Sequence, residues 1–103
     1  MDKENKEEKI QEMQILEQNL HNLMLQKQAF QLEISETKAA KKEVGTSKEV
    51  FKLIGQLMIK AEGEKVKEEL SNKEKLLDLR IKSIEKQESS LSEKMDFLRK
   101  EIF

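Results

Sequence analysis

The chain has 103 residues, of which 40% are charged and 36% are hydrophobic, and its formal net charge is −1. This composition leaves too little apolar material for a broad globular core, and the near absence of helix breakers, with no Pro and three Gly, favours long helices. The twenty basic residues alternate with twenty-one acidic ones instead of forming a basic stripe, which argues against nucleic-acid binding.

Cysteine is absent, so disulfides and thiolate metal sites are excluded. The opening MDKENKEEK lacks the apolar region of a secretory signal, and no window has the length of a membrane span. We therefore expect one soluble, cytoplasmic domain covering residues 1–103, with no membrane contact.

The first predicted element is a helix over about residues 10–44. Its apolar residues recur at alternating steps of three and four, which is the spacing of a coiled-coil seam, with Lys27 and Thr37 in the two remaining positions. The apolar seam residues are Met13, Leu16, Leu20, Leu23, Phe30 and Ile34. Gly45 can adopt the left-handed conformation that ends a helix, so we place the end near Val44. The lysines that precede it, Lys38, Lys41 and Lys42, face the negative end of the helix dipole.

The stretch VFKLIGQLMIKAEG, residues 50–63, predicts a β-hairpin over about residues 50–61 with a type II′ turn at Gly55-Gln56. The alternation of a strand puts apolar residues on both faces of this hairpin. The residues that we expect to act in assembly are Val50, Phe51, Leu53, Ile54, Leu57, Met58 and Ile59. A lone hairpin is marginal in water, so it either folds back on its own helices or, as we favour, joins strands of other subunits.

The last predicted element is a second helix over about residues 64–102, with a seam that is more regular than the first. Its apolar seam residues are Leu70, Leu77, Ile81, Ile84, Leu91, Met95, Leu98 and Ile102. Glu74 and Glu88 take the other seam positions. Together with Lys27, these two residues either fix the register of the helix pair or are solvated charges in a loose seam. The chain is thus predicted to be mainly α, an antiparallel two-helix coiled coil with one β-hairpin at the bend.

Nothing in the sequence predicts catalysis, a cofactor or a metal site. His21 is the sole histidine and lies one residue past a seam position, so we interpret it as a surface residue. The many carboxylates fall on exposed helix faces, and the three glycines do not have a phosphate-binding spacing. We expect a protein that is not an enzyme.

A first helix is followed by VFKLIGQLMIK and then by GEKVKEEL, which opens a second helix that includes RIKSIEKQE. In this order of its elements the chain resembles the beta-class subunits of prefoldin. The resemblance covers nearly the whole chain. It implies a hexamer of two alpha-class and four beta-class chains, in which hairpins form an inter-subunit β-barrel that carries the coiled coils. It further implies that the coiled-coil tips hold unfolded client proteins without ATP and deliver them to a group II chaperonin.

At the tip that bears both termini, four apolar residues fall off the seam and should be exposed, while the seam residues of the last turns can splay apart through fraying. The client-binding candidates are Ile10, Met13, Ile15, Met95, Phe97, Leu98, Ile102 and Phe103. Periodicity alone leaves a second function open, a passive coiled-coil scaffold that is assembled through its hairpin and binds no client.

Overall fold

A computed structural model describes residues 3–103 of the chain. Helix α1 spans Lys3–Val44, strand β1 spans Glu49–Ile54, strand β2 spans Leu57–Glu62 and helix α2 spans Gly63–Ile102. The prediction of a mainly α chain with a single β-hairpin between two long helices is confirmed. No helix within residues 3–103 is both long and apolar enough to cross a membrane.

Helix α1 begins seven residues before the predicted start at Ile10, the first apolar residue. The preceding segment, KENKEEK, has no apolar period, but it consists almost entirely of strong helix formers. Its last residue, Lys9, is half-buried and forms an ion pair with Glu101 of α2. Helix propensity and this contact therefore extend the helix over a segment in which hydrophobic periodicity gives no signal.

Helix α1 ends at Val44, as predicted. Gly45 has a φ of 50°, and its N–H donates to the carbonyl of Lys41 at 3.2 Å. The N–H of Ser47 then donates to the carbonyl of Val44 at 2.9 Å. Since an L-residue is strained at this φ, glycine at position 45 sets the end of the helix.

The hairpin pairs β1 with β2 in antiparallel register, from Glu49 opposite Glu62 to Ile54 opposite Leu57. Gly55 has a φ of 60°, whereas no residue other than glycine within residues 3–103 has a positive φ. A positive φ at the first central residue alone is the pattern of a type II′ turn, so the predicted turn at Gly55-Gln56 is confirmed.

At the junction between β2 and α2, the backbone of Gly63 lies close to the backbone of Ser47 and Lys48. The N–H of Gly63 donates to the carbonyl of Lys48 at 2.9 Å. A Cβ atom built on Gly63 would lie 1.7 Å from the carbonyl oxygen of Ser47, well inside van der Waals contact. Only glycine fits where the first residue of α2 passes the segment that precedes β1.

The helices contribute to two compact units, which we name by their contents. The terminal unit contains the chain up to residue 29 together with residues 81–103, and its core is formed by Leu16, Met95 and Leu98. Three half-buried residues of the seam pack against this core: Met13, Leu20 and Leu91. Within this unit Lys9 pairs with Glu101, whereas Lys27, further along α1, pairs with Glu88, earlier in α2, so the two segments are antiparallel.

The hairpin unit contains residues 30–80. Its most buried side chain is that of Leu77, which is 2% exposed. Thr37 is also buried, and its hydroxyl donates to the carbonyl of Glu33 at 2.7 Å. The guanidinium of Arg80 lies 5.7 Å from the centre of the Phe30 ring. In both units every predicted seam residue is buried or half-buried, so the heptad prediction is confirmed for both helices.

Candidate functional site

The hairpin exposes most of its apolar side chains. Six of the seven residues predicted to act in assembly are between 43% and 71% exposed, and the seventh, Val50, is half-buried. The six are Phe51, Leu53, Ile54, Leu57, Met58 and Ile59. A two-stranded sheet also leaves one edge of each strand unpaired. The hairpin therefore offers both apolar surface and free backbone groups to another polypeptide.

The two faces of the hairpin differ in their surroundings. The register places Val50, Ile54, Leu57 and Ile59 on the same face as Lys52, as predicted. The Nζ of Lys52 lies 2.6 Å from Oε2 of Glu69 in α2, so this face is turned towards the helix.

The opposite face carries Phe51, Leu53 and Met58. An ion pair of 3.1 Å between Lys60 and Glu49 lies on the same face. Its three apolar side chains are at least 65% exposed. The apolar side chains of this face are on average more exposed than those of the face that is turned towards α2.

The terminal unit holds all eight client-binding candidates, but the structure divides them into two groups. Four lie off the seam and are exposed as predicted, from 38% for Ile10 to 90% for Phe103, with Ile15 and Phe97 between them. The other four belong to the seam, where Met95, Leu98 and Ile102 are buried and Met13 is half-buried. The seam is therefore packed in this unit, and its exposed apolar surface comes from the off-seam residues.

An open groove of about 520 Å³ lies beside the ring of Phe97. Its lining combines this ring and Leu98 with charged side chains that include those of Glu12 and Lys94. Such a lining could hold an apolar side chain of another polypeptide with charged groups at the rim. Exposure alone does not distinguish this region, because four leucines elsewhere on the helices are also exposed: Leu25, Leu32, Leu76 and Leu79.

Two charged layers interrupt the apolar seam. In the terminal unit the Nζ of Lys27 lies 2.8 Å from Oε1 of Glu88, and both side chains are half-buried. The hydrogen bond to Glu88 raises the pKa of Lys27 above its ordinary value of 10.5, against the lowering effect of burial, and the charges of Glu88 and Glu85 add to the rise.

In the hairpin unit the carboxylate of Glu74 lies 3.5 Å from the Nζ of Lys41 and 3.8 Å from that of Lys38. Of the two interpretations left open by the sequence, solvated charges or register-fixing polar layers, this pairing favours the second.

Sequence reasoning missed the partners of these charges. The helix dipole accounts for Lys41 at the end of α1, but this residue also lies four positions after Thr37 and so continues the seam spacing. Extending the heptad pattern by one step would have found it. The Lys52–Glu69 and Lys9–Glu101 pairs carry no comparable signal, because each depends on how separate elements meet in space.

The part of the chain that the structure describes shows no chemical site beside these surfaces. His21 is exposed, as predicted. Within residues 3–103, no group of three or more His, Asp or Glu side chains could hold a metal ion. The candidate features in the described chain are the exposed apolar residues of the hairpin and of the terminal unit.

Comparison with known proteins gives consistent matches. Residues 7–102 match the family described as Prefoldin subunit. Prefoldin subunit beta of Thermococcus onnurineus is 36% identical over 84% of this chain and 77% of its own length. Prefoldin subunit beta of Pyrobaculum aerophilum is 33% identical over 81% of this chain and 68% of its own length. The crystal structure of the prefoldin beta subunit from Thermococcus strain KS-1 matches with a TM-score of 0.88 and 31% identity, over 95% of this chain and 89% of that one.

Proposed function

The chain belongs to the prefoldin family, as the resemblance in its sequence predicted, and we propose on that basis that it is a subunit of an ATP-independent holdase chaperone in the cytoplasm. The observation that carries the proposal is the match to a prefoldin beta subunit over 95% of this chain, which includes both helices and the hairpin. The chain acts by binding polypeptides rather than by catalysis and uses no cofactor.

Assembly is the first part of the proposal. The hairpin joins hairpins of neighbouring subunits in a β-barrel, within a hexamer of two alpha-class and four beta-class chains. Its exposed residues on both faces and its two free edges support this role, since an isolated hairpin of this kind gains stability by pairing.

Client binding is the second part. The exposed apolar side chains of the terminal unit, Ile10, Ile15, Phe97 and Phe103, contact apolar segments of unfolded proteins, and the packed seam beneath them holds these side chains in place. Each such contact is weak and has little sequence preference. Several subunits that bind one client raise the overall affinity through effective concentration, so the oligomer and the client surface act together. The client then passes to a group II chaperonin.

The proposal can be tested with two matched triple variants in the complex formed with an alpha-class partner. One variant replaces Ile15, Phe97 and Phe103 by Gln in the terminal unit. The control replaces Leu32, Leu76 and Leu79 by Gln, which are residues of the hairpin unit with 49% to 64% exposure. Protection of a chemically denatured client from aggregation is measured by light scattering.

We expect the terminal-unit variant to lose protection while the control retains it, with the same helicity and complex mass in both. Equal protection by the two variants would contradict the assignment of the client surface. A complex that never protects any denatured client would instead support the passive scaffold.

A further inference from the structure

The charged seam residues of α1 are basic, whereas those of α2 are acidic. Between Met13 and Val44, the seam of α1 contains Lys27 and Lys41 and no acidic residue. Between Leu70 and Ile102, the seam of α2 contains two glutamates, Glu74 and Glu88, and no basic residue. The net charge of the whole chain hides this division, because charges of both signs alternate on the outer faces.

Each seam lysine meets a seam glutamate of the other helix. Lys27 pairs with Glu88 at 2.8 Å in the terminal unit, and Lys41 pairs with Glu74 at 3.5 Å in the hairpin unit. The lysines are separated by two heptads along α1, and the glutamates by two heptads along α2. The same opposite-charge layer thus occurs once in each unit.

A helix paired with another copy of itself cannot reproduce these contacts. Wherever the seam of α1 is aligned with that of a second α1, parallel or antiparallel, its half-buried lysines find no seam carboxylate. The same holds for the glutamates of two paired α2 helices, which find no seam cation. Half-buried charges without a partner are costly, and two like charges in one layer are costlier still.

We propose that the seam charges form a pairing code that admits α1 with α2 and rejects α1 with α1 and α2 with α2 between copies of this chain. The proposal rests on the proposed function in one respect, since a complex with several copies holds identical helices at high effective concentration. Leucine-rich heptad seams would otherwise associate with little selectivity, and polar seam residues are a general means of choosing partners.

The code can be tested first by stability, with three variants of the full chain. An acidic-seam variant carries Lys27→Glu and Lys41→Glu, and a basic-seam variant carries Glu74→Lys and Glu88→Lys. An exchanged variant carries all four substitutions and so restores opposite charges in both layers. We expect the midpoint of thermal unfolding, followed by circular dichroism, to fall by at least about 5 °C in each two-site variant. The exchanged variant should recover at least half of that loss.

Disulfide trapping tests partner choice directly. A cysteine introduced by Leu20→Cys reports pairing of two α1 helices in parallel, because such a pair places identical seam positions side by side. The substitution is made separately in the original chain, in the acidic-seam variant and in the basic-seam variant. In each chain alone, two α1 helices present like charges to each other, so we expect few disulfides between copies.

Mixing the acidic-seam and basic-seam chains removes this barrier. The α1 helix of the first then carries glutamates at positions 27 and 41, whereas that of the second keeps its lysines, and the two are complementary. We expect mixed disulfides between the two chains in at least several-fold higher yield than disulfides between copies of either chain alone. As a positive control, Leu20→Cys and Met95→Cys together in the original chain should give an intramolecular disulfide, because Leu20 packs against the core that contains Met95 and each lies one heptad from a member of the Lys27–Glu88 pair.

Two results would overturn the code. One is an equal yield of disulfides between chains in the mixture and in each chain alone. The other is an exchanged variant no more stable than the two-site variants. Neither measurement uses a client, an alpha-class partner or a chaperonin, so the code and the proposed chaperone function can fail separately.

Discussion

Gly63→Ala adds one methyl group at the point where α2 begins, and we expect it to displace the hairpin from its junction with the helix. The new Cβ would lie 1.7 Å from the carbonyl oxygen of Ser47, whereas ordinary contact begins at 3.4 Å. The obstacle is backbone, so no side-chain rotation can relieve it. Moving the Ser47 carbonyl away also moves the next residue, Lys48, whose carbonyl accepts the 2.9 Å hydrogen bond from Gly63.

The expected cost follows from these contacts. Loss of the hydrogen bond at a buried residue costs about 1–3 kcal/mol, and the remaining overpacking costs a further ~1–3 kcal/mol. The better helix propensity of alanine offsets at most about 1 kcal/mol. We therefore expect a net loss of roughly 2–4 kcal/mol in the free energy of unfolding.

The assay is urea unfolding followed by circular dichroism at one fixed protein concentration, because association contributes to the apparent stability. Gly55→Ala is the matched control. A Cβ at Gly55 meets nothing within 4 Å, so the control carries only the strain of its positive φ, about 1–2 kcal/mol. Gly63→Ala with the stability of the original chain, or with a smaller loss than Gly55→Ala, would refute the argument from close approach.

Further predictions concern the core, the assembly surface and the charged layer. Leu77→Ala should lower the free energy of unfolding by about 2–5 kcal/mol. Leu79→Ala, at a site that is 64% exposed, should lower it by less than about 0.5 kcal/mol, and urea unfolding of the two variants measures the difference. Ile54→Asp should abolish the oligomer in size-exclusion chromatography while helicity persists, because it would bury an unpaired charge. An unchanged oligomer would contradict the role of the hairpin in assembly. The pKa of Lys27 is raised on folding by Glu88, so the pair stabilises the fold below pH 10.5 and its contribution is lost as the pH rises through the raised pKa. The stability difference between Lys27→Gln and the original chain should accordingly shrink above pH 10.5 in urea unfolding.

The parts of the fold that follow from periodicity could be predicted from the sequence. The seven-residue spacing that links Leu77, Ile84 and Leu98 identifies the buried side of α2, and Gly45 and Gly55 identify the helix end and the turn. These features depend on local geometry, in which spacing along the chain fixes which side chains share a face.

The contacts between separate elements could not be predicted in the same way. The start of α1 at Lys3 depends on helix propensity without an apolar period, and the Lys52–Glu69 pair depends on the angle between the hairpin and α2. Fraying of the terminal seam, which the sequence led us to expect, also depends on tertiary packing. In the structure Met95 and Leu98 lie in the core of that unit. The roles of the exposed surfaces depend on partners, and they stay predictions.

The uncovered hairpin also bears on how cells must supply this chain. Before assembly, a newly made copy presents six apolar side chains and two open strand edges to its surroundings. Such a copy is itself a candidate for aggregation and for degradation, as much as any client. Its synthesis should therefore be matched to that of its partners, and its soluble yield should rise when an alpha-class subunit is co-expressed.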